Sequence, residues 1–451
     1  MKNLYTQAYM NFLKTRALIR GDRYFKLFED LRKEQWLPAE KIEKLQIARL
    51  KKLVTHATTH STFFKAKYSS ASGIPDSLNS LSDLPRLPLL TRRELQDNYD
   101  DMLCPVQGAE TYADSSGGST GRPVNFYHND IYKSFSHAFE LLFMSWHDIA
   151  RGDRTAVFWG ADRDFKEWSF REKLDIRLQR TKMLNSFNVS EESLAAFLAE
   201  LEKFKPVYIY GYATSLYLAA RYINRTGRFK IRPRAIRSSA ETLFGYQRRE
   251  IEKAFDASVS DFYGSREVNN LAAECPKHEG LHVFASGKIV EIVDENGRRL
   301  EPGQYGYIAV TDLTDFSFPF IRYLNGDMGV AKADLCSCGR GYPLLREITG
   351  RSSDVITLSG KFIHGEFFTH LFYARPEVRQ FQVIQESDRR LVVKIVTDDP
   401  DMDISDIKGR ILSHIGGQIE LAFEFVDHIA PLKSGKFRFT INKTVKNEGA
   451  A

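Results

Sequence analysis

One short stretch of the sequence is the starting point for predicting fold and function: Asp114-Ser115-Ser116-Gly117-Gly118-Ser119-Thr120-Gly121-Arg122-Pro123. It concentrates four hydroxyl side chains and three glycines between Ser115 and Gly121. Glycines let the backbone approach a ligand closely, and successive N–H groups with neighbouring hydroxyls form a concave site for an anion. Arg122 adds a fixed positive charge, and Pro123 stops the stretch from running directly into a helix. The sequence therefore predicts a loop that closes over phosphate groups.

Two known motifs compete with this interpretation. A Walker A loop needs a Lys-Ser or Lys-Thr pair after its last glycine, and the chain has Arg122-Pro123 there. Residues 117–121 match the Gly-x-Ser-x-Gly nucleophile elbow, which would make Ser119 the nucleophile of a serine hydrolase. That elbow follows a strongly apolar strand and opens a helix, and neither flank of this loop fits. An exposed Ser/Gly linker is the remaining alternative.

Length and composition indicate how many domains to expect and which partners are excluded. The chain has 451 residues, of which 43% are hydrophobic, so more than one domain with a sizeable core is expected. No apolar run is long enough for a membrane span, and residues 1–20 are amphipathic and basic but lack the features of a secretory signal. We therefore expect a cytoplasmic protein. The net charge of +6 is diffuse and suits anionic small molecules, so no nucleic-acid partner is expected. Nothing in the sequence indicates an oligomeric state.

The order of elements predicts an α/β fold. Residues 1–70 have helical periodicity, and Thr91-Arg92-Arg93-Glu94 offers a capping box for a further helix. Strands and helices alternate from Thr155 to Tyr263, with a strand at Ala235–Ser239 and a helix at Gly245–Phe255 among them, a pattern typical of a mainly parallel sheet with ligands at the carboxyl ends of its strands. A further helix is predicted near Glu366–Tyr373. Short strands and turns over residues 282–332 predict an antiparallel β region. The last hundred residues read as a small α+β unit, which predicts a large domain at residues 1–350 and a small one at 351–451.

Five further segments carry distinctive residues in a fixed order. They are Ser238-Ser239-Ala240-Glu241, Tyr263-Gly264-Ser265-Arg266-Glu267, Arg322-Tyr323-Leu324-Asn325-Gly326-Asp327, Gly350-Arg351-Ser352-Ser353-Asp354 and Ser434-Gly435-Lys436. With the glycine loop, they resemble the signature motifs of the AMP-forming adenylate synthetases (acyl-CoA synthetases), in the branch that includes phenylacetate–CoA ligase and the capsule-biosynthesis adenylating proteins. The resemblance covers essentially the whole chain and implies that residues 351–451 form a mobile lid.

The resemblance also implies roles for single residues. Lys436 and Glu267 would be catalytic: Lys436 would touch both the attacking carboxylate and the α-phosphate, and Glu267 would bind Mg²⁺. Asp327 would accept hydrogen bonds from the ribose hydroxyls, and Tyr263 would stack on adenine. The nucleotide-binding set implied in this way is Ser115, Ser116, Gly117, Gly118, Ser119, Thr120, Gly121, Glu241, Tyr263, Gly264, Arg266, Asp327 and Arg351.

Three positions depart from the family pattern. Arg266 stands where the family has Ser or Thr, so a cation replaces a hydroxyl that binds phosphate. Ser353 replaces the usual Asp or Lys of the hinge, and His364-Gly365 stands near an expected proline, in a segment that lies by the pantetheine tunnel in relatives. These departures leave adenylation in place and weaken the case for CoA as the acceptor.

The cysteines point to a metal. Cys275, His282 and the Cys336-Ser337-Cys338 pair provide three thiols and one imidazole, a donor set typical of closed, structural zinc sites, and relatives resembling phenylacetate–CoA ligase often carry a comparable group. His278 is the alternative fourth ligand. Three unrelated reduced thiols are the other possibility, and Cys104 reads as a small buried residue.

The leading hypothesis for function is a ligase that uses ATP and Mg²⁺ to convert a carboxylic acid to an acyl-adenylate with release of pyrophosphate. Acyl transfer would follow, with CoA as the expected acceptor and an amine, on a sugar or an amino acid, as the close alternative. A serine hydrolase using Ser119 and a nucleotide-binding protein without turnover are the competing classes; Arg266 and Ser353 favour the latter. The sequence does not identify the acid. The aromatic segments Phe135–Trp146 and Phe158–Trp168 are candidates for the lining of an acyl pocket, and core packing is the alternative, because aromatic residues at helical spacing more often belong to the core.

Overall fold

The computed structural model of the protein describes residues 3–69, 74–116, 124–159, 170–185, 191–351, 356–358, 361–363, 367–368, 371–372, 375, 377–399, 401–415, 419–430 and 438–444. These residues fall into two compact units. The first holds the described residues within Met1–Ser116, Val124–Asn325 and Gly329–Ile348, and the second holds those within Gly326–Met328 and Thr349–Ala451. The domain boundary at residue 350 and the mobility of the C-terminal domain stay predictions.

Helices open the first unit, as the sequence predicts for residues 1–70. They are α1 (Leu4–Arg20), α2 (Tyr24–Glu34), α3 (Ala39–His60) and α4 (Thr62–Lys67), followed by α5 (Ile74–Ser77), a 3₁₀ helix at Leu81–Arg86 and α6 (Arg92–Asp97). The Asn3 side chain accepts the Tyr5 amide at the beginning of α1, and Gly21 ends that helix at φ 72°, a left-handed conformation that favours glycine. Helix α6 begins with a reciprocal capping box between Thr91 and Glu94, which the sequence pattern predicts.

Two strands flank the glycine loop, and helices and strands alternate from the second of them onward. In chain order they are β1 (Thr111–Ser115), β2 (Asn125–Asn129), α7 (Asp130–Trp146), β3 (Thr155–Trp159), α8 (Phe170–Leu178), β4 (Thr181–Asn185), α9 (Glu191–Phe204), β5 (Tyr208–Tyr212), α10 (Ala213–Thr226), β6 (Ala235–Ser239), α11 (Gly245–Phe255) and β7 (Val259–Ser265). Neighbouring strands from β3 to β7 pair in parallel, which confirms the predicted α/β class. The sequence reading missed α8 and β4.

The antiparallel region continues the same sheet. Its strands are β8 (Asn269–Glu274), β9 (Leu281–Val283), β10 (Lys288–Val293), β11 (Tyr305–Asp312), β12 (Tyr323–Lys332) and β13 (Leu344–Arg351). The strand order is β10-β11-β12-β13-β9-β8-β7-β6-β5-β3-β4, with the change from parallel to antiparallel pairing between β7 and β8. One hydrogen-bonded ladder therefore connects the two regions that the sequence presents as separate.

Helix α7 supplies aromatic side chains to the core of this sheet. Phe139, Phe143 and Trp146 recur at helical spacing and are at most 7% exposed. The Phe143 ring meets the Phe262 ring of β7 edge-on at 5.0 Å, and the Trp146 and Phe284 rings stack at 5.6 Å. The aromatic segment Phe135–Trp146, considered as a lining for an acyl pocket, thus packs largely in the core. Most of the second such segment, Phe158–Trp168, lies outside the described residues.

The second unit has its own sheet, with strand order β18-β17-β16-β19. Its elements are β14 (Ile356–Leu358), β15 (Lys361–Ile363), β16 (Val378–Ser387), β17 (Arg390–Thr397), α12 (Ser405–Ile415), β18 (Glu420–Phe425) and β19 (Thr440–Asn442). Strands β16 and β17 form an antiparallel hairpin, and α12 buries Ile407, Ile411 and Ile415 on one face. This is the small α+β unit predicted from the sequence. The helix predicted near 366–373 lies mostly outside the described residues.

A buried ion pair holds the antiparallel part of the first unit to the segment before α6. The Arg322 guanidinium donates to both carboxylate oxygens of Glu291 at 2.9 and 3.1 Å, and both side chains are only 2% exposed. It also donates to the carbonyl oxygens of Leu87 at 2.7 Å and Gly297 at 2.6 Å. A single guanidinium therefore satisfies four acceptors from three separate segments.

Replacing this cation should destabilise the protein strongly. We expect Arg322→Met to lower the free energy of unfolding by about 3–5 kcal/mol, because the Glu291 carboxylate would remain buried without its partner. The measurement is urea unfolding followed by tryptophan fluorescence. Arg225→Met is the control, because the Arg225–Glu191 pair is 61% and 68% exposed and should contribute less than about 1 kcal/mol. Equal losses in both variants would contradict the assignment.

Candidate functional site

The carboxyl ends of β6 and β7 carry two of the predicted acidic residues. Glu241 follows the end of β6 by two residues, and Glu267 follows the end of β7 by two. Because β6 and β7 pair in parallel, their carboxyl ends share one edge of the sheet. This edge is where open α/β sheets bind ligands, so the fold brings both residues to the expected side of the molecule.

Glu241 is tied to the start of a helix. Its Oε2 accepts the Thr214 amide at 2.8 Å, in the first turn of α10, where a carboxylate is favoured by the helix dipole and by unsatisfied N–H groups. The residue before it, Ala240, has φ 69°, so the chain turns sharply as it leaves β6. Glu241 thereby connects the exit of β6 to the beginning of α10.

Tyr263, the residue predicted to stack on adenine, lies on β7 with its hydroxyl fixed from another strand. The Asn325 Nδ2 donates to Tyr263 Oη at 2.7 Å. Asn325 is 9% exposed and lies on β12, two residues before Asp327. Asn325 stands at a variable position of its motif, so the sequence alone does not identify it as a site residue. Nothing local in the sequence shows that β12 reaches β7.

Gly264 is required by the local backbone, and its predicted part in nucleotide binding stays a prediction. The β7–β8 pairing is interrupted by a bulge between Tyr263 and Gly264, and a Cβ at Gly264 would collide with the Asn269 carbonyl oxygen. The bulge sits between Tyr263 and the end of the strand, so it helps to aim the residues that follow, including Glu267.

The base of the glycine loop is a closed hairpin. Ser115 ends β1 opposite Asn125 of β2. One step further along, the Ser116 amide donates to the Val124 carbonyl at 2.8 Å, and the Val124 amide donates to Ser116 Oγ at 2.9 Å. The two ends of the loop are therefore held together by a pair of hydrogen bonds in addition to the strand ladder.

Arg92 joins this base to Glu267. Its Nη2 donates to Ser116 Oγ at 3.3 Å, and its Nη1 lies 4.0 Å from Glu267 Oε1, a carboxylate that is 5% exposed. Arg92 is the first residue of α6, and the sequence alone predicts it only as part of a capping box. No local signal distinguishes it from the adjacent Arg93, which is 75% exposed and pairs within its own helix.

Arg266 points to the other side of the loop base. Its Nε lies 3.8 Å from Asp114 Oδ1 on β1, and both side chains are more than a third exposed. A pair this exposed contributes little to stability. The cation that replaces the family's hydroxyl is thus close to the strand that leads into the loop.

The predicted metal ligands come together. The donor atoms of Cys275, His282, Cys336 and Cys338 all lie within 4.8 Å of one another. Cys275 follows β8, His282 lies on β9, and the other two cysteines lie between β12 and β13. The Sγ atoms of Cys275 and Cys336 are 3.7 Å apart, and Cys338 Sγ is 3.5 Å from His282 Nε2.

Burial shifts the pKa values of this group in different directions. It raises the pKa of Cys275 and raises that of Cys336 to about 12, so these two thiols would lose their protons only on binding a cation. Burial lowers the pKa of His282 to about 4, so its imidazole is neutral and can offer a nitrogen lone pair. Burial raises the pKa of the Cys338 thiol, but hydrogen bonds from Arg340 outweigh that effect and lower it overall. The alternative ligand His278 is engaged elsewhere, because its Nδ1 lies 3.2 Å from Glu274 Oε2 and it is not a member of the group.

Comparison with known proteins identifies relatives of this chain. A family model described as the CapK C-terminal domain matches residues 355–443. The chain is 25% identical to Protein CapK of Staphylococcus aureus over 411 residues, 88% of this chain and 89% of that protein. It is also 25% identical to phenylacetate-coenzyme A ligase of Thermus thermophilus over 360 residues, 76% and 77% of the two chains.

This chain is a homologue of CapK and the phenylacetate–CoA ligases. The solved structure of 2-hydroxyisobutyryl-CoA ligase in the postadenylation state with R3-HIB-AMP has the same fold, with a TM-score of 0.73, 20% identity and 92% coverage of both chains. The anthranilate CoA ligase AuaEII in complex with anthranoyl-AMP has a TM-score of 0.53 over 72% of this chain. The resemblance to the AMP-forming adenylate synthetases predicted from the motifs is therefore confirmed.

Several residues lie outside the described residues although the resemblance assigns them a role. They are Gly117, Gly118, Ser119, Thr120, Gly121 and Lys436. Arg351 is the last residue of β13, and Asp327 lies on β12 just after Gly326, which has φ 84°. The predicted roles of all these residues stay predictions.

In the part of the chain that the structure describes, no helix is long and apolar enough to cross a membrane.

Proposed function

We propose that this protein activates a carboxylic acid with ATP and transfers the acyl group to a thiol, with CoA as the expected acceptor. The observation that carries the proposal is the set formed by Ser116, Arg92 and Glu267 at the base of the Ser/Gly loop, on the edge of the sheet where the parallel strands end. A hydroxyl, a guanidinium and a nearly buried carboxylate suit the phosphates of a nucleotide and its accompanying cation.

The proposed reaction has two steps. In the first, a carboxylate oxygen of the acid attacks the α-phosphorus of ATP, the bond from that phosphorus to the bridging oxygen breaks, and pyrophosphate leaves. In the second, the thiol sulfur attacks the acyl carbon, AMP leaves, and the thiol proton passes to solvent. Both negative reactants of the first step repel each other, so cations between them lower its barrier. We assign that task to Lys436 and to the Arg92 guanidinium.

The remaining roles follow the family resemblance. Tyr263, with its hydroxyl held by Asn325, would stack on adenine, and Asp327 would accept hydrogen bonds from the ribose hydroxyls. Glu267 would hold Mg²⁺, which neutralises charge on the phosphates when bound. Glu241 would line the nucleotide or substrate pocket from the beginning of α10, and Arg351 would bracket the ribose and phosphate.

The hydrolase alternative loses support from the local architecture. A nucleophile elbow lies between a strand of the main sheet and a helix. The loop here lies between β1 and β2, which pair antiparallel as a separate two-stranded sheet. The two strands that precede and follow the loop therefore do not form the strand-to-helix junction of a nucleophile elbow.

The first test is pyrophosphate release from ATP and Mg²⁺ across a panel of aryl, fatty, hydroxy and amino acids. We expect release with one class of acid and a loss of at least about a hundredfold in kcat in Lys436→Ala, because a cation at the transition state is removed. Lys408→Ala, an exposed cation on α12, should keep full activity. Adding CoA then tests the acceptor: formation of an acyl-CoA supports a thiol, whereas pyrophosphate release without acyl-CoA supports an amine. ATP binding without release for any acid would instead indicate a nucleotide-binding protein without turnover.

Arg92 and Glu267 provide a second test. We expect Arg92→Gln to raise the KM for ATP about tenfold, the value of one charged hydrogen bond, and Glu267→Gln to raise the Mg²⁺ concentration needed for half-maximal activity. Arg93→Gln is a matched control, because Arg93 is the next residue of the same helix and is 75% exposed. If Arg93→Gln raised the KM for ATP as much as Arg92→Gln, the effect would belong to α6 as a whole.

We further propose that the cysteine and histidine group binds a structural zinc ion. Zn–S bonds of about 2.3 Å and Zn–N bonds of about 2.0–2.1 Å in a regular tetrahedron separate two sulfurs by about 3.8 Å and a sulfur from a nitrogen by about 3.6 Å. The observed separations of 3.7 and 3.5 Å fit these values. Four protein donors would close the coordination shell, so the ion would link the turns around β9 and β13 rather than take part in chemistry.

Metal analysis tests this assignment. We expect about one zinc per chain in the purified protein, and loss of that zinc in Cys336→Ser together with a fall of about 5 °C or more in Tm. His282→Gln should also lose the metal, whereas His278→Gln and Cys104→Ala should keep it. Retention of zinc in Cys336→Ser, or its absence from the unmodified protein, would contradict the assignment.

A further inference from the structure

Helix α1 is fixed to the first unit along one face. Its buried residues recur every three or four positions and are Thr6, Tyr9, Leu13 and Ala17. Thr6 Oγ1 donates to Asp153 Oδ1 at 2.8 Å, and Tyr5 Oη donates to the Leu178 carbonyl at 2.7 Å. These contacts set the rotation of the helix, so its opposite face must point outward.

Four large apolar side chains are exposed on that outward face, together with the polar residues Gln7, Asn11 and Thr15. Leu4 is 81% exposed, Phe12 49%, Leu18 83% and Ile19 79%. At about 100° per residue, Leu4, Phe12 and Ile19 lie within an arc of about 80°, with Leu18 on its flank. Large apolar side chains exposed together along one helix face mark an interaction surface rather than the scattered exposure found on most proteins.

The charge of α1 has a single sign. The helix contains Lys14, Arg16 and Arg20 and no carboxylate. Arg16 reaches Asp175 at 3.5 Å. Lys14 is exposed about 40° around the helix from Leu18, with its Nζ 5.9 Å from the centre of the Phe25 ring, and Arg20 is exposed at the last position of the helix. The Arg180 guanidinium adds a further cation at the amino end, 4.8 Å from the centre of the Tyr5 ring.

We propose that α1 lies on an anionic phospholipid surface, with Leu4, Phe12, Leu18 and Ile19 among the acyl chains and Lys14 and Arg20 at the head groups. Two copies of α1 packed through the same stripe would bring only cations together, whereas an anionic surface complements both the apolar and the charged residues. This inference goes beyond the proposed ligase function and is independent of it, because it depends on none of the nucleotide-site residues.

Co-sedimentation with lipid vesicles tests the proposal on the full chain. We expect binding to vesicles of equal phosphatidylglycerol and phosphatidylcholine and little binding to phosphatidylcholine alone. Lys14→Gln and Arg20→Gln should each weaken binding about fivefold. The double variant Leu18→Ser with Ile19→Ser should weaken it at least about tenfold. Leu218→Ser, an equally simple change of an exposed apolar residue on α10, should leave binding unchanged.

Two measurements keep the result interpretable. Thermal unfolding should be unchanged in the α1 variants, because the replaced side chains are exposed. Sedimentation equilibrium without lipid should show the same mass for the unmodified chain and the double variant. A dimer that dissociates in the double variant would make the stripe a contact between copies and overturn the proposal. Absence of binding to the anionic vesicles, or unaltered binding by the double variant, would overturn it as well.

Discussion

The buried charge of Arg322 is the constraint on which the antiparallel half of the sheet depends. Its guanidinium is enclosed at the start of β12 and is satisfied by Glu291 of β10 and by two carbonyls from other segments. A buried cation demands such complete pairing, so the position of β12 relative to β10 and to Leu87 is narrowly defined. Asn325 and Asp327 follow on the same strand, and Arg322 itself has φ 50°. An interaction that has no contact with the proposed nucleotide thus sets where the strand bearing two site residues begins.

Hydrogen bonds from neighbouring residues fix the side chains of the described site residues of the first unit. Glu241 accepts a helix amide, Tyr263 accepts from Asn325, and Ser116 accepts from both Arg92 and the Val124 amide. The bonds of Glu241, of Tyr263 and of Arg92 with Ser116 join residues that are 27, 62 and 24 positions apart in the sequence. Because rotamers fixed by packing and hydrogen bonds lose little freedom on binding, this arrangement favours precise recognition of a nucleotide.

The sequence predicted much of this. Periodicity located β6 and α11 at their observed bounds, the capping box located α6, and the motifs identified the relatives. What it could not provide was long-range pairing: that β8 joins β7, that Asn325 meets Tyr263, and that Arg92 rather than Arg93 faces Ser116. Adjacent arginines on one short helix are alike in local composition, and only the fold distinguishes the inward residue from the outward one. Strand β4 was missed because the stretch between β3 and α9 lacks clear alternation.

The double hydrogen bond between Ser116 and Val124 has a thermodynamic consequence. Bringing the ends of a chain segment together reduces its conformational entropy, and that reduction must occur either during folding or at the moment a ligand binds. Here the ends of the Ser/Gly loop are already joined in the folded protein. The entropy lost by bringing the two ends of residues 117–123 together therefore opposes the folding of the domain, and it is not lost again when a ligand binds. A ligand that binds beside Ser116 and Val124 does not have to bring these two residues together.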